Sequence, residues 1–454
     1  MEAVEKSIVE EDVKTEINNK EERNSSESQV IEKDKSTGKL WTLNFFLLWQ
    51  GQLVSALGDV VYEIALGFWI LAVTGSTGLM GTLMAASVLP RILISPFAGV
   101  IVDRCNRRNM LVLMDLVRGI VITAVGIAAV LGFVQIWMVF VAGVTMGICA
   151  AFFNPTVSSS IPDIVPRDKL IPANSALNMV GTGVSILANP LGGFMYLILG
   201  APIMFLTNGI SYLFSAFTEI FIKIPKVERK VKKEHADLST RDSFKQDFKE
   251  GFKFVWNFKG LRYLIITAAF LNFFANMGII LILPLFQRTV GLGSVKYGLA
   301  IALLTGGMFA GMALTSLVKM PYEKRLSIFT ISGVIFSIGF AIFPMVNFNY
   351  MLVLLFIAGF FNAIVNTFIS ASVQLTVPQD MRGKVFSIMN SVCGGLVPIA
   401  MAIGGILAEF IAIKYIILTC FLLSGLGLLP LAFIKSFKRF INFNPDIQTL
   451  EDII

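Results

Sequence analysis

Apolar residues run along this chain in blocks of twenty or more, broken by short clusters of charge, a rhythm that predicts helices crossing a membrane. A hydrocarbon core of about 30 Å takes ~20 helical residues. Twelve such spans are readable, at 43–73, 79–101, 109–131, 135–156, 171–198, 202–223, 261–287, 297–318, 326–346, 349–371, 384–408 and 413–434. They are too continuous for the alternating strands of a membrane β-barrel, so the backbone polar groups must be satisfied within helices. Composition points the same way: 55% of the chain is hydrophobic and only 15% charged, against about 25% charged in soluble domains. The expectation is an all-α membrane protein.

Charge fixes an orientation. The net charge of +7 could suggest nucleic acid, but the basic residues gather on one side of the twelve-span layout. Arg104, Arg107, Arg108, Arg167, Lys169, Lys319, Lys324, Arg325, Arg382 and Lys384 lie there, with twelve more between 223 and 262, while the other side has only Arg288, Lys296 and Lys414. By the positive-inside rule both termini are expected in the cytoplasm, in a multi-pass plasma membrane protein. The first forty residues carry seven Lys/Arg and eleven Asp/Glu and no apolar core, so they read as a disordered cytoplasmic tail rather than a signal peptide. The four cysteines and His235 lack ligand spacing, and neither a disulfide nor a metal site is expected.

The chain also repeats itself. Shifted by 212 positions, Gly147 falls on Gly359, Asn154 on Asn366, Ser160 on Ser372, Val165-Pro166 on Val377-Pro378, Asn178 on Asn390 and Gly192-Gly193 on Gly404-Gly405. Many of these are not lipid-type residues, so shared composition is a poor explanation. Spans 4–5 and 10–11 are therefore equivalent, and the expected fold is two pseudo-symmetric six-helix bundles. The segments are a tail at 1–40, a first bundle at 41–223, a cytoplasmic linker at 224–260, a second bundle at 261–435 and a tail at 436–454. Two such halves with a path between them are the organisation of a secondary transporter. In the linker, Phe244, Phe248, Phe252 and Trp256 recur every fourth residue beside Lys245, Lys249 and Lys253, predicting a basic amphipathic helix on the inner leaflet.

Ionisable residues inside spans mark functional candidates, because they are expensive there. In span 1, Asp59 and Glu63 stand at i, i+4, with Gln52 on the same face. Close carboxylates in a low dielectric disfavour each other's charge, which suits proton binding and release; pairing with buried cations or amides is the structural alternative. Asn272 and Asn276 hold the corresponding spacing in span 7. Arg91 lies ~15 Å from the cytoplasmic end of span 2, and Asp115 and Arg118 lie ~9 and ~13 Å in along span 3. Those depths predict a buried network of Arg91, Asp115 and Arg118. Trp69, Phe270, Phe273 and Phe360, with Gln52, Asn272 and Asn276, are candidates for a substrate path suited to bulky amphiphiles.

The loop after span 2 reads Gly99-Val100-Ile101-Val102-Asp103-Arg104-Cys105-Asn106-Arg107-Arg108. It resembles the signature G-x-x-x-D-R-x-G-R-R/K between helices 2 and 3 of the major facilitator superfamily, with Asn106 where Gly is usual. "WQGQLVSALGD", "LPRILISPFAGVIVDR", "MDLVRG" and "VPQDMRGKVFSIMNS" look like the bacterial drug-exporter branch that includes macrolide efflux proteins and enterobactin exporters. Gly183, Pro190 and Gly193 in span 5 are similar to an antiporter motif, G-x-x-x-G-P-x-x-G-G, though the spacing is a residue short. The resemblance implies the major facilitator fold and a monomeric, proton-driven exporter of small hydrophobic or amphiphilic compounds. Its partners would be substrate, protons and membrane lipid, with no nucleic acid and no cofactor beyond the proton gradient. It also implies for Gly99, Asp103, Arg104, Arg107 and Arg108 a gating role against the start of span 11 near Arg382–Lys384. An ATP-driven pump or an enzyme is disfavoured because no P-loop, nucleophile elbow or metal cluster occurs in the polar segments. A facilitator or exporter of an endogenous metabolite, siderophore or lysophospholipid would use the same fold, and a non-transporting receptor would not need the central charges.

Overall fold

The computed structural model describes residues 39–224, 240–318, 320–445 and 447–449, so the acidic tail and the loop holding His235 lie outside the described residues. The first bundle contains α1 Leu43–Thr74, α2 Thr77–Arg104, α3 Arg107–Val130 and α4 Ile136–Ile164, then α5 at 170–199 and α6 at 201–219. The last two form one unbroken helical ladder divided only at Gly200, whose φ of 69° turns the chain back on itself. Eleven helical stretches among the described residues are long and apolar enough to cross a membrane. Dividing the α5–α6 ladder at Gly200 makes them twelve, at close to the expected positions.

A linker helix, α7 Thr240–Asn257, leads into the second bundle: α8 Lys259–Ile279, α9 Ile282–Arg288, α10 Gly293–Leu317, α11 Arg325–Ile342 and α12 Phe348–Thr376. It continues with α13 Gln379–Gly395, α14 Val397–Leu407 and α15 Ile413–Phe433, and ends in α16 Lys435–Ile441. The pairs α8–α9 and α13–α14 are single spans, each interrupted once. The 212-residue shift carries Ile136–Ile164 onto Phe348–Thr376 at both ends, so the repeat in the sequence is a repeat of helix boundaries.

Helix ends follow local chemistry. Thr42, Ser76 and Asn106 cap α1, α2 and α3 by accepting from the backbone N–H groups of Phe45, Leu79 and Asn109. Small residues set the spacing within the first bundle: Gly51 and Gly58 on α1 let α6 approach, and Gly209 on α6 seats α3 at Thr123. The second bundle uses glycines too, Gly307 and Gly311 letting α12 approach α10, and adds rings, with Phe340 stacked on Phe421 at 4.4 Å and Phe336 edge-on to both. Large apolar side chains such as Leu93, Val141, Phe217, Phe309 and Leu426 stand exposed on the outside, where hydrocarbon would meet them.

The linker helix packs on the second bundle. Gly251 lies against Lys384 and Ile388 of α13, Val255 is buried, and Lys384 pairs with Glu250 at 2.6 Å. Phe252 and Trp256 stack at 5.7 Å and point outward, as the amphipathic pattern predicts.

Candidate functional site

The two bundles close on each other at the face opposite the chain termini. A Cβ on Gly405 of α14 would come within 2.5 Å of Thr77 O and 2.9 Å of Gly81 Cα on α2, so these helices meet backbone to backbone. The same contact recurs by pseudo-symmetry, where Gly193 of α5 presses on Ser294 O and on Gly298 N of α10. Glu409, in the turn after α14, seals the closure as a cap supplied from the other half. It accepts from Ser76 Oγ at 2.7 Å, Thr77 Oγ1 at 3.1 Å and Gly78 N at 2.7 Å, at the N-terminus of α2. Burial opposes its charge, but those three donors and the nearby Arg288 prevail and hold its carboxyl below the ordinary range. Arg288 in turn donates to Gly75 O, and Gln287 Nε2 donates to Phe68 O at 3.3 Å.

Beneath this closure lies a cavity of about 490 Å3. Most of its wall belongs to the first half; Ile279, Ile280, Leu283, Tyr297 and Met401 come from the second. The wall combines Asp59, Glu63 and Arg91 with Asn154, Asn189 and Tyr212, and with the flexible thioethers of Met80, Met84, Met146 and Met401. Such a lining offers a few fixed charges among adaptable apolar surface, which suits an amphiphile of ordinary drug size.

From this wall, which Arg118 also lines, buried charge continues into the bundle. Tyr212 of α6 donates to Asp59 Oδ1, and Arg118 Nη1 lies 3.4 Å from Asp115 Oδ1. The Arg118 guanidinium covers the Phe153 ring at 4.7 Å and faces Tyr212 at 5.3 Å. Asp115 and Arg118 are buried, as is Glu219 at the end of α6.

Comparison with known proteins settles the family. The model of the Major Facilitator Superfamily matches residues 48–402. This chain is a member of that superfamily. Macrolide efflux protein A of Streptococcus pyogenes is 24% identical over 403 residues, covering 87% of this chain and 95% of its own. A putative bacilysin exporter of Bacillus subtilis is 26% identical over 367 residues, covering 78% and 86%. Among solved structures, a bacterial homologue of the iron transporter ferroportin superposes with a TM-score of 0.63 at 17% identity, covering 87% of this chain and 99% of its own. The superfamily fold and its efflux relatives make this chain a multi-pass membrane transporter rather than an enzyme.

Set on that fold, the predicted residues divide. Asp59 and Glu63 do share the cavity face of α1, Asp59 half-buried and Glu63 open to the cavity. Asp115 and Arg118 do pair. Arg91 does not join them: it is exposed, lines the cavity and forms no ion pair among the described residues, facing Glu63 instead. Its place on α2 turns it toward the interface between the halves, a rotation about the helix that depth alone could not give.

The path residues chosen in the second half miss the cavity. Phe270 packs on Gly427 of α15, Phe273 and Phe274 meet edge to face at 5.3 Å, and Phe360 lies in the contact of α12 with α10. Asn272 and Asn276 turn their amides back to Ala268 O and Asn272 O along their own helix. Trp69 is core packing against Phe205, and Gln52 is half-buried away from the cavity. In α5, Gly183 meets open space and Gly193 makes the interdomain contact, while the side chain of Pro190 lies outside the described residues.

In the superfamily loop, Gly99 also meets open space, and Arg107 pairs with Asp163 and Ser159 O of α4, in its own half. Arg382 bonds Val377 O. The side chains of Asp103 and Arg104 lie outside the described residues. Sequence reading overlooked Tyr212, Asn208 and Glu219 on α6 and the Glu409 cap. Glu219 stands close to the terminal end of span 6, where a charge in the sequence reads as solvated.

Proposed function

We propose that this transporter exports an amphiphilic compound of drug or secondary-metabolite type in exchange for protons, by alternating access. With both termini in the cytoplasm of the plasma membrane, as the basic loops suggest, the closed face is the outer one and the conformation is inward-facing. The observation that carries the reading is the cavity between the halves, where Asp59 and Glu63 share a wall with Arg91 and four methionines. A carboxylate there can hold either a proton or a cationic substrate group, and such competition couples two fluxes. The efflux names of the relatives at 24–26% identity support export and a macrolide-sized substrate. The chain would act as a monomer with no cofactor, the proton gradient supplying the energy. Export of an endogenous metabolite is the second reading, favoured by the bacilysin exporter among the relatives.

Erythromycin accumulation in cells expressing the wild type or Asp59→Asn, with and without an uncoupler, tests both parts. Low accumulation that rises with the uncoupler and with the mutation is expected. Accumulation indifferent to both removes the coupling; erythromycin handled as in cells lacking the protein, while a secreted peptide metabolite is cleared, moves the substrate to the second reading.

A further inference from the structure

α6 holds one carboxylate that the cavity does not use. Glu219 is fully buried, and neither of its carboxylate oxygens has a hydrogen-bond partner among the described residues. It faces α1, where a Cβ built on Gly51 would stand 3.9 Å from Glu219 Oε1 and 2.8 Å from Ser215 Oγ. Ser215 is itself fully buried with an unpartnered hydroxyl. One helix over, Asp115 engages Arg118 through Oδ1 and leaves Oδ2 unpartnered, and Arg118 leaves Nε and Nη2 unpartnered.

The ionisable groups facing one another behind the cavity are Asp59 from α1, Asp115 and Arg118 from α3, the Cys149 thiol from α4, and Tyr212 and Glu219 from α6, while Tyr62, Glu63 and, through Glu63, Arg91 adjoin Asp59 on the cavity side. One guanidinium thus stands against three carboxylates in an interior that disfavours unpaired charge. The cluster approaches neutrality only when carboxyls other than the one paired with Arg118 are protonated. It is also elongated. Gly58 lies against Asn208 and Ser211 near the cavity, just as Gly51 lies against Ser215 and Glu219 near the face carrying the termini. A seam of small and polar residues between α1 and α6 therefore runs from Asp59 to Glu219.

We propose that Glu219 is a second proton-binding site, sharing one exchangeable proton with Asp115, and that it gives protons an exit separate from the substrate's. This rests on the proton-coupled reading above. The proton held on Asp59 passes to the Asp115 carboxylate, then to Glu219, then to water at the terminal face. Each step breaks one O–H bond and forms another, leaving the donor as a carboxylate. Substrate enters the cavity as the proton leaves by the seam, so the two never need the same opening.

The test is infrared difference spectroscopy of the purified full chain in lipid vesicles, stepped in pH around neutrality, reading the C=O stretch of protonated carboxyls. The wild type is expected to lose such a band on alkalinisation. Glu219→Gln should remove part of that band, Asp115→Asn should shift its midpoint, and Glu63→Gln should leave the Glu219 component in place. If Glu219→Gln fails to fold, Glu219→Asp serves, with a retained band at a changed midpoint. A band absent from the wild type, or identical in the Glu219 variants, overturns the site. Erythromycin efflux insensitive to an uncoupler would instead sink the coupling reading and the exit route with it, an outcome the infrared result does not share.

Discussion

The two bundles share a scaffold but not an interior. Around α1, α3 and α6 the first encloses Asp59, Asp115, Arg118 and Glu219 with Tyr212, whereas the centre of the second is Phe336, Phe340, Phe343 and Phe421. Asn272 and Asn276, which repeat the spacing of Asp59 and Glu63 one residue off the 212-residue register, are bonded to their own helix. A duplicated fold has thus kept chemistry in one copy and packing in the other. A charged interior can alter its packing when a proton arrives or leaves, and a ring-filled one gives it something firm to move against.

The largest effect expected of a single change falls in the aromatic half. Phe340→Ala removes a ring that is 1% exposed and stacked on Phe421, and should cost about 3–5 kcal/mol, read as thermal unfolding of the purified protein. Next, Asp59→Asn should lower uncoupler-sensitive erythromycin efflux about a hundredfold, the equivalent of ~2.7 kcal/mol, with little change in unfolding temperature. Asn272→Leu, the counterpart of Asp59 in the second half, should change efflux less than about twofold. Equal losses from Asp59→Asn and Asn272→Leu would end the distinction between the halves.

Smaller effects probe what the halves share. Gly405→Leu and Gly193→Leu should each slow efflux about tenfold by overpacking the closed face. Unequal losses would show that the two contacts are not mechanically equivalent. Smallest of all, Glu409→Gln should accelerate thiol labelling of a cysteine placed at Ser76 about threefold, since an exposed charge is worth little. Because the Glu409 carboxyl is held below its ordinary value of 4.5, its cap is complete above that pH and weakens as the pH at the closed face falls below it. Labelling of the Ser76→Cys protein, taken relative to a fully exposed reference cysteine that reports the thiolate fraction, should rise in that window, and in Glu409→Gln that ratio should no longer depend on pH.

Much of the fold was legible because hydropathy and repetition are one-dimensional properties. The span limits, the duplication and the i, i+4 pair in α1 needed only spacing. Rotation about each helix was not legible: Arg91 and Phe270 lie on predicted spans, yet one faces the cavity and the other a neighbouring helix. Apolar residues suit lipid, core and cavity alike, so letters alone cannot sort them. Glu219 was missed for another reason. It lies at the very end of its span, where a charge reads as solvated until the packing of Gly51 shows it enclosed.

The glycine pairs at 192–193 and 404–405 have a thermodynamic consequence. A surface that closes through backbone atoms has no rotamers to freeze, so shutting it loses little side-chain entropy and reopening it regains little. The balance between the two conformations can then stay near even, where the binding of one proton or one substrate is enough to tip it.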